Sequence, residues 1–103
     1  MSYTARFPNK STEEEFKKKL TAISLKSTRE KIMEKVEALE EDPRPFGQKL
    51  FRQLTPPVVF YQSTATYRIR IGDYRVLYDV DDMKKIVWIL ALRRKAKSTY
   101  RRK

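Results

Sequence analysis

The sequence predicts an α+β fold: an N-terminal strand, a helical hairpin, then an antiparallel three-strand meander, forming one sheet with helices on one face and ending in a short basic segment. Three observations predict it. Apolar residues alternate with period two in "SYTARF" and again from Tyr61 towards Val80. Between these stretches lie two segments with helical spacing and capping signals. "KKIVWILAL" is then nearly continuous in apolar residues, as a central strand covered on both faces would be. At 103 residues the chain is long enough for one domain with a real core and too short for two, so residues 1–103 are read as a single domain.

Each element has its own signal. Tyr3, Ala5 and Phe7 alternate with Thr4 and Arg6, which reads as a strand. "STEEEF" offers Ser11 or Thr12 as a helix N-cap, with Glu14 or Glu15 three positions on and an acidic first turn that suits the helix dipole; Phe16 and Leu20 form the apolar stripe. "STREKIMEKVEALEED" repeats the pattern with Ser27 and Glu30, sets Ile32, Met33, Val36 and Leu39 on one face, and ends at Asp42-Pro43. Its charges, Glu40 and Glu41 included, read as a solvated helix face. In "PRPFGQKLFRQLTPPVVFYQSTAT", Pro56-Pro57 break whatever precedes them, and one long strand is expected from Tyr61 into the following hairpin.

That hairpin, "YRIRIGDYRVLYDV" at residues 67–80, turns at Gly72-Asp73, which suits a two-residue type II′ loop. The turn sets the register: Ile71 faces Tyr74, Arg70 faces Arg75, Ile69 faces Val76, Arg68 faces Leu77 and Tyr67 faces Tyr78. One face is apolar, with Tyr67, Tyr74 and Tyr78 as packing residues whose hydroxyls reach the rim. The other carries Arg68, Arg70 and Arg75; like charges directly opposite one another destabilise a ladder, and the only acid of matching parity nearby is Asp79. Folding alone does not account for such a face, whereas an external anion does. With a four-residue turn at Asp81–Lys84, Val80 faces Lys85 and Arg75 faces Leu90, which brings Arg94 onto the same face; a one-residue change of register turns it to the other. Trp88 and Leu90 share the arginine face.

Composition narrows the chemistry. The absence of cysteine and histidine excludes disulfides, thiol nucleophiles, the common zinc sites and an imidazole base. "MSYTARFPNK" lacks a signal-peptide apolar region and the longest apolar run, Ile86–Leu92, is far shorter than a membrane span, so a cytoplasmic protein without a membrane partner is expected. Residues 1–42 hold nine basic and nine acidic side chains, whereas residues 43–103 hold fifteen basic and four acidic, so the second part carries the whole excess of +11. A polyanion such as nucleic acid is the partner that this asymmetry favours.

From Tyr67 onward, "YRIRIGDYRVLYDVDDMKKIVWILALRRKAKSTY" resembles the second half of toxins of the RelE/ParE superfamily, and the preceding strand and helical hairpin agree in order. The RelE branch comprises ribosome-dependent mRNA endonucleases held inactive by an antitoxin. The resemblance therefore implies a type II toxin, an endoribonuclease acting on mRNA at the ribosome without metal or cofactor, in a hetero-oligomer with an acidic, amphipathic cognate antitoxin. Carried over position by position, its active site falls on Arg68 and Arg70 in "YRIRI", Arg75 in "DYRV", Arg94 in "LALRRK" and Tyr100 in "KSTYRR", with Lys49, Arg52, Arg93, Lys95 and Lys97 as further RNA contacts. The chain departs from the best-studied branch in having arginines where that branch has lysines, and guanidinium is too basic to accept a proton readily. The segment Leu54–Thr66 is also longer than the family's usual connection.

Attack of a 2′-hydroxyl on its own phosphate needs a proton acceptor, stabilisation of the phosphorane and protonation of the leaving oxygen. Arg70 and Arg75 suit the scissile phosphate and Arg94 the leaving oxygen, with Tyr100 either base or stacking platform. Two other readings stay open. One is a ParE-like toxin of the same fold that poisons a topoisomerase. The other is a non-catalytic basic RNA-binding module whose arginines contact phosphate only.

Overall fold

The structure, a computed structural model, describes residues 2–60 and 62–94. It comprises β1 (Thr4–Arg6), α1 (Lys10–Thr21), α2 (Lys26–Ala38), β2 (Phe51–Val59), β3 (Thr64–Ile71), β4 (Tyr74–Asp81) and β5 (Ile86–Arg94). The strands form one sheet in the order β1-β5-β4-β3-β2. Strands β2 to β5 make an antiparallel meander, and β1 joins β5 in parallel after the chain has crossed over through the helical hairpin. The expected α+β class and the single helix-covered face are both present; the meander has four strands, where three were expected.

The helices begin two or three residues before the sequence signals. Asn9 caps α1, its Oδ1 accepting the Thr12 N–H at 2.8 Å, so Ser11 and Thr12 lie inside the helix. Leu25 precedes α2 without a side-chain cap, and Ser27 lies within the first turn. Phe16, Ile23, Ile32, Val36 and Leu39 are buried against Ile69, Ile71, Val76, Tyr78, Val87, Ile89 and Leu92, forming the main core between helices and sheet. Met33, expected on that apolar stripe, is exposed. Glu40, read from the sequence as part of a solvated face, instead accepts the Ala5 N–H through its carboxylate at 2.7 Å, while its carbonyl accepts the Tyr3 N–H at 2.7 Å. The two bonds satisfy one donor of the edge strand β1 and that of the residue just before it.

The greatest departure is β2. Pro56 and Pro57 do not break it; they sit in an edge strand, where a missing N–H costs little, and the register with β3 shifts between Gln53 and Val58. The strand expected from Tyr61 begins only at Thr64. Around the β2–β3 connection a second cluster forms on the sheet face away from the helices: Ala65, Leu77 and Leu90 are buried, with Leu54, Val58, Phe60, Trp88 and Ala91 packed around them.

Arg44, between α2 and β2, ties Tyr67 to the turn after β4. Its guanidinium donates to Tyr67 Oη at 2.8 Å and to both Asp82 oxygens at 3.1 and 2.8 Å, and Tyr3 donates its hydroxyl to Asp82 at 2.6 Å. These bonds hold the Asp82 carboxyl well below the usual carboxylate range, at about 2. Tyr78 is fully buried, its hydroxyl donating to the Pro43 carbonyl at 2.7 Å, so it lies deeper than the rim position expected. Among the described residues, no helix is long and apolar enough to cross a membrane.

Candidate functional site

The β3–β4 hairpin has the expected register at all five pairs, with Gly72 at φ +58° providing the left-handed turn position. Arg68, Arg70 and Arg75 therefore share the face opposite the helices. Strand β2 adds Arg52, which pairs directly with Arg68. The contribution of β5 differs from the expectation. Pairing starts at Asp81 with Ile86 around a turn at residues 82–85, and near its middle the register shifts so that Tyr78 faces Ile89 while Leu77 faces Ala91. Leu90 is the extra residue of this bulge. Leu90 and Ala91 both pack into the second cluster, and every residue beyond them changes face.

Arg75 consequently faces Arg93, not Leu90. Arg94, expected on the arginine face, instead pairs with Tyr74 and lies on the helix side, its guanidinium carbon 5.8 Å from the Tyr74 ring centroid. Arg93 takes the place that regular pairing assigned to Arg94. Arg70, Arg75 and Arg93 thus form a row across three adjacent strands, with Arg68 and Arg52 one rung away. Lys49 is exposed in the turn before β2. Tyr100, Lys95 and Lys97 lie outside the described residues.

The row has no acidic complement: among the described residues, none of these five arginines forms a salt bridge. Arg68 is the most enclosed, only 9% exposed, with its guanidinium donating to the Leu50 carbonyl at 3.0 Å. Burial, and then Arg52, Arg75 and Arg70 around it, lower its pKa from the usual arginine value. A bound anion would reverse each of these charge repulsions, and guanidinium forks match phosphate oxygens in geometry.

Two further groups reach this face, one of them assigned to it by strand parity and the other not. Phe60 packs under the Arg93 guanidinium, 5.1 Å from ring centroid to the guanidinium carbon. Asp79 accepts the Thr66 hydroxyl at 2.8 Å. The parity of Asp79 with Arg75 places it on this face in the sequence, as expected; Phe60 follows only from the path of β2.

Fold and site together define a class: a small α+β domain whose helices close one sheet face and whose other face carries a row of arginines without a salt-bridge partner among the described residues. The family model described as ParE toxin of type II toxin-antitoxin system, parDE, matches residues 11–98. The chain belongs to this toxin family, within the RelE/ParE superfamily. It is similar to the solved archaeal RelE-RelB complex from Pyrococcus horikoshii OT3, with 27% identity and a TM-score of 0.69 over 94% of this chain and 99% of that one. It also has the fold found in the toxin-antitoxin complex RelBE2 from Mycobacterium tuberculosis, at 22% identity and a TM-score of 0.61 over 92% and 100% of the two chains. The intact E. coli RelBE toxin-antitoxin complex gives 21% identity and a TM-score of 0.52 over 93% and 99%. No curated protein matches the sequence significantly.

Proposed function

We propose that this toxin is a ribosome-dependent endoribonuclease that cleaves mRNA without a metal. The observation that carries the proposal is the row Arg70, Arg75 and Arg93, which places three cations on successive strands with no acidic partner among the described residues. Arg70 and Arg75 hold the scissile phosphate and neutralise the phosphorane. Arg93, in place of Arg94, stands beside the leaving 5′ oxygen. The 2′-oxygen attacks phosphorus and loses its proton to a base, the bond to the 5′ oxygen breaks and that oxygen gains a proton, leaving a cyclic phosphate and a 5′-hydroxyl. We assign the proton acceptor to Tyr100. Tyr100→Phe then lowers single-turnover cleavage by about two to four orders of magnitude while leaving ribosome affinity nearly unaltered.

The similar archaeal structure is a complex with RelB, and we propose that this chain too has a cognate antitoxin, acidic and amphipathic, that neutralises the arginine face. Poisoning of a topoisomerase is the second reading, favoured by the description of the matching family model. Primer extension on mRNA after induced expression separates the two. Codon-phased cuts are the expected result; arrested replication with intact messages would establish the second reading in its place.

A further inference from the structure

Beside the arginine row lies a cavity of about 730 Å³, within the usual range of roughly 300–1,000 Å³ for small-molecule sites. Phe60, Trp88 and Leu90 form its apolar walls, and Gln62, Ser63 and Asp79 supply polar groups. Leu54 and Val58 of β2 and the following Phe60 pack against the cluster that buries Leu77 and Leu90, while Phe60 and Trp88 are left half-buried. Arg93 connects the cavity to the row: the guanidinium lies over Phe60, and Phe60 and Leu90 also line the adjoining cavity that Arg93 reaches.

The chemistry selects the occupant. Half-buried aromatic rings near a row of phosphate-binding cations are the arrangement that holds single-stranded nucleic acid, backbone on the cations and base on the ring. An apolar side chain from a protein partner would fill the walls and leave the second oxygen of Asp79 without a donor. Asp79 bonds Thr66 through one oxygen, and among the described residues no basic group pairs with it. A base carrying an exocyclic amino group satisfies both demands, as carboxylates accept from the cytosine amino group. Building on the reading of this chain as RNA-directed, we propose that the Phe60–Trp88 cavity receives one unpaired base of the strand whose phosphates lie on Arg70, Arg75 and Arg93, and that Asp79 favours an amino-bearing base over uracil.

Trp88 is the sole tryptophan of the chain, so its emission reports the cavity directly. The full chain, freed of any antitoxin, is titrated with end-labelled pentacytidylate, following strand anisotropy and Trp88 emission together, and then with inorganic polyphosphate as an anion without bases. The expected result is that the oligonucleotide binds and quenches Trp88, whereas polyphosphate displaces it without quenching. Binding with unchanged Trp88 emission, or equal quenching by polyphosphate, overturns the base site and leaves the RNA reading standing. Failure of the strand to bind at all overturns both. Phe60→Leu keeps an apolar side chain against the second cluster and removes the ring; it should weaken pentacytidylate roughly 5- to 150-fold, the range for one stacked base, without changing polyphosphate affinity. Equal loss for both ligands, or for neither, overturns the stacking role. Asp79→Asn should narrow the preference for pentacytidylate over pentauridylate, and an unchanged preference overturns the part given to Asp79.

Discussion

The two faces of the sheet are built from alternate residues of the same strands, yet they answer to different demands. On the helix face, Ile69, Val76, Tyr78, Val87, Ile89 and Leu92 are at most 2% exposed and pack against α1 and α2. Burial accounts for each of them. On the opposite face, three successive strands set Arg70, Arg75 and Arg93 side by side, and Arg68 is held among cations that lower its pKa. Cross-strand like charges oppose folding. The stability of the first face is what allows the second to carry a charge pattern that only an external anion completes.

Substitutions of matching severity on the two faces should therefore part company. The largest effect is expected from Ile32→Ala, which empties a fully buried position under the sheet and should cost about 2–5 kcal/mol in chemical denaturation, with toxicity lost only as far as the fold is lost. Arg75→Ala should do the reverse. It removes the middle cation of the row, abolishes toxicity on induction, and lowers the salt dependence of RNA binding by about one counterion, while stability stays within about 0.5 kcal/mol or rises. A marked destabilisation would make Arg75 a structural residue and dissolve the contrast.

A finer test uses two neighbours that the bulge separates. Arg93→Ala should weaken RNA binding clearly more than Arg94→Ala, since Arg93 faces Arg75 and Arg94 lies over Tyr74 on the helix side. If Arg94→Ala is the more damaging, regular pairing governs the working molecule. The smallest effect concerns acid. Asp82 has its folded pKa depressed to about 2 by Arg44 and Tyr3, so its contribution is present above the ordinary carboxylate pKa and disappears as pH falls through about 2. Between about pH 4 and pH 2, Asp82→Asn should lose less stability than the parent in melting experiments; parallel losses would mean that the Arg44 cluster does not persist in solution.

How far the sequence reaches depends on how local the deciding interactions are. The α+β order, the hairpin register and the shared face of Arg68, Arg70 and Arg75 follow from period-two alternation and from one glycine at φ +58°, and all are present in the structure. These features were legible because neighbouring residues specify them. The helix caps were misplaced by two or three residues, because Asn9, Ser11 and Thr12 are all competent caps and the local signal does not choose among them. Strand β2 was invisible because two prolines argue against a strand in general, and only a sheet edge tolerates them.

By itself, then, the sequence determined a basic half, an apolar helix-facing strand pattern and three arginines on one side of a hairpin. Tertiary structure decided which fourth arginine joins them. That choice rests on Leu90, whose insertion as a bulge turns both Leu90 and Ala91 into the cluster sealed by β2, and so exchanges Arg93 for Arg94. The physical reason is that a bulge is selected by packing across the sheet. Leu54, Val58 and Phe60, which are distant in sequence, offer the apolar surface that makes two consecutive residues facing one way more favourable than strict alternation.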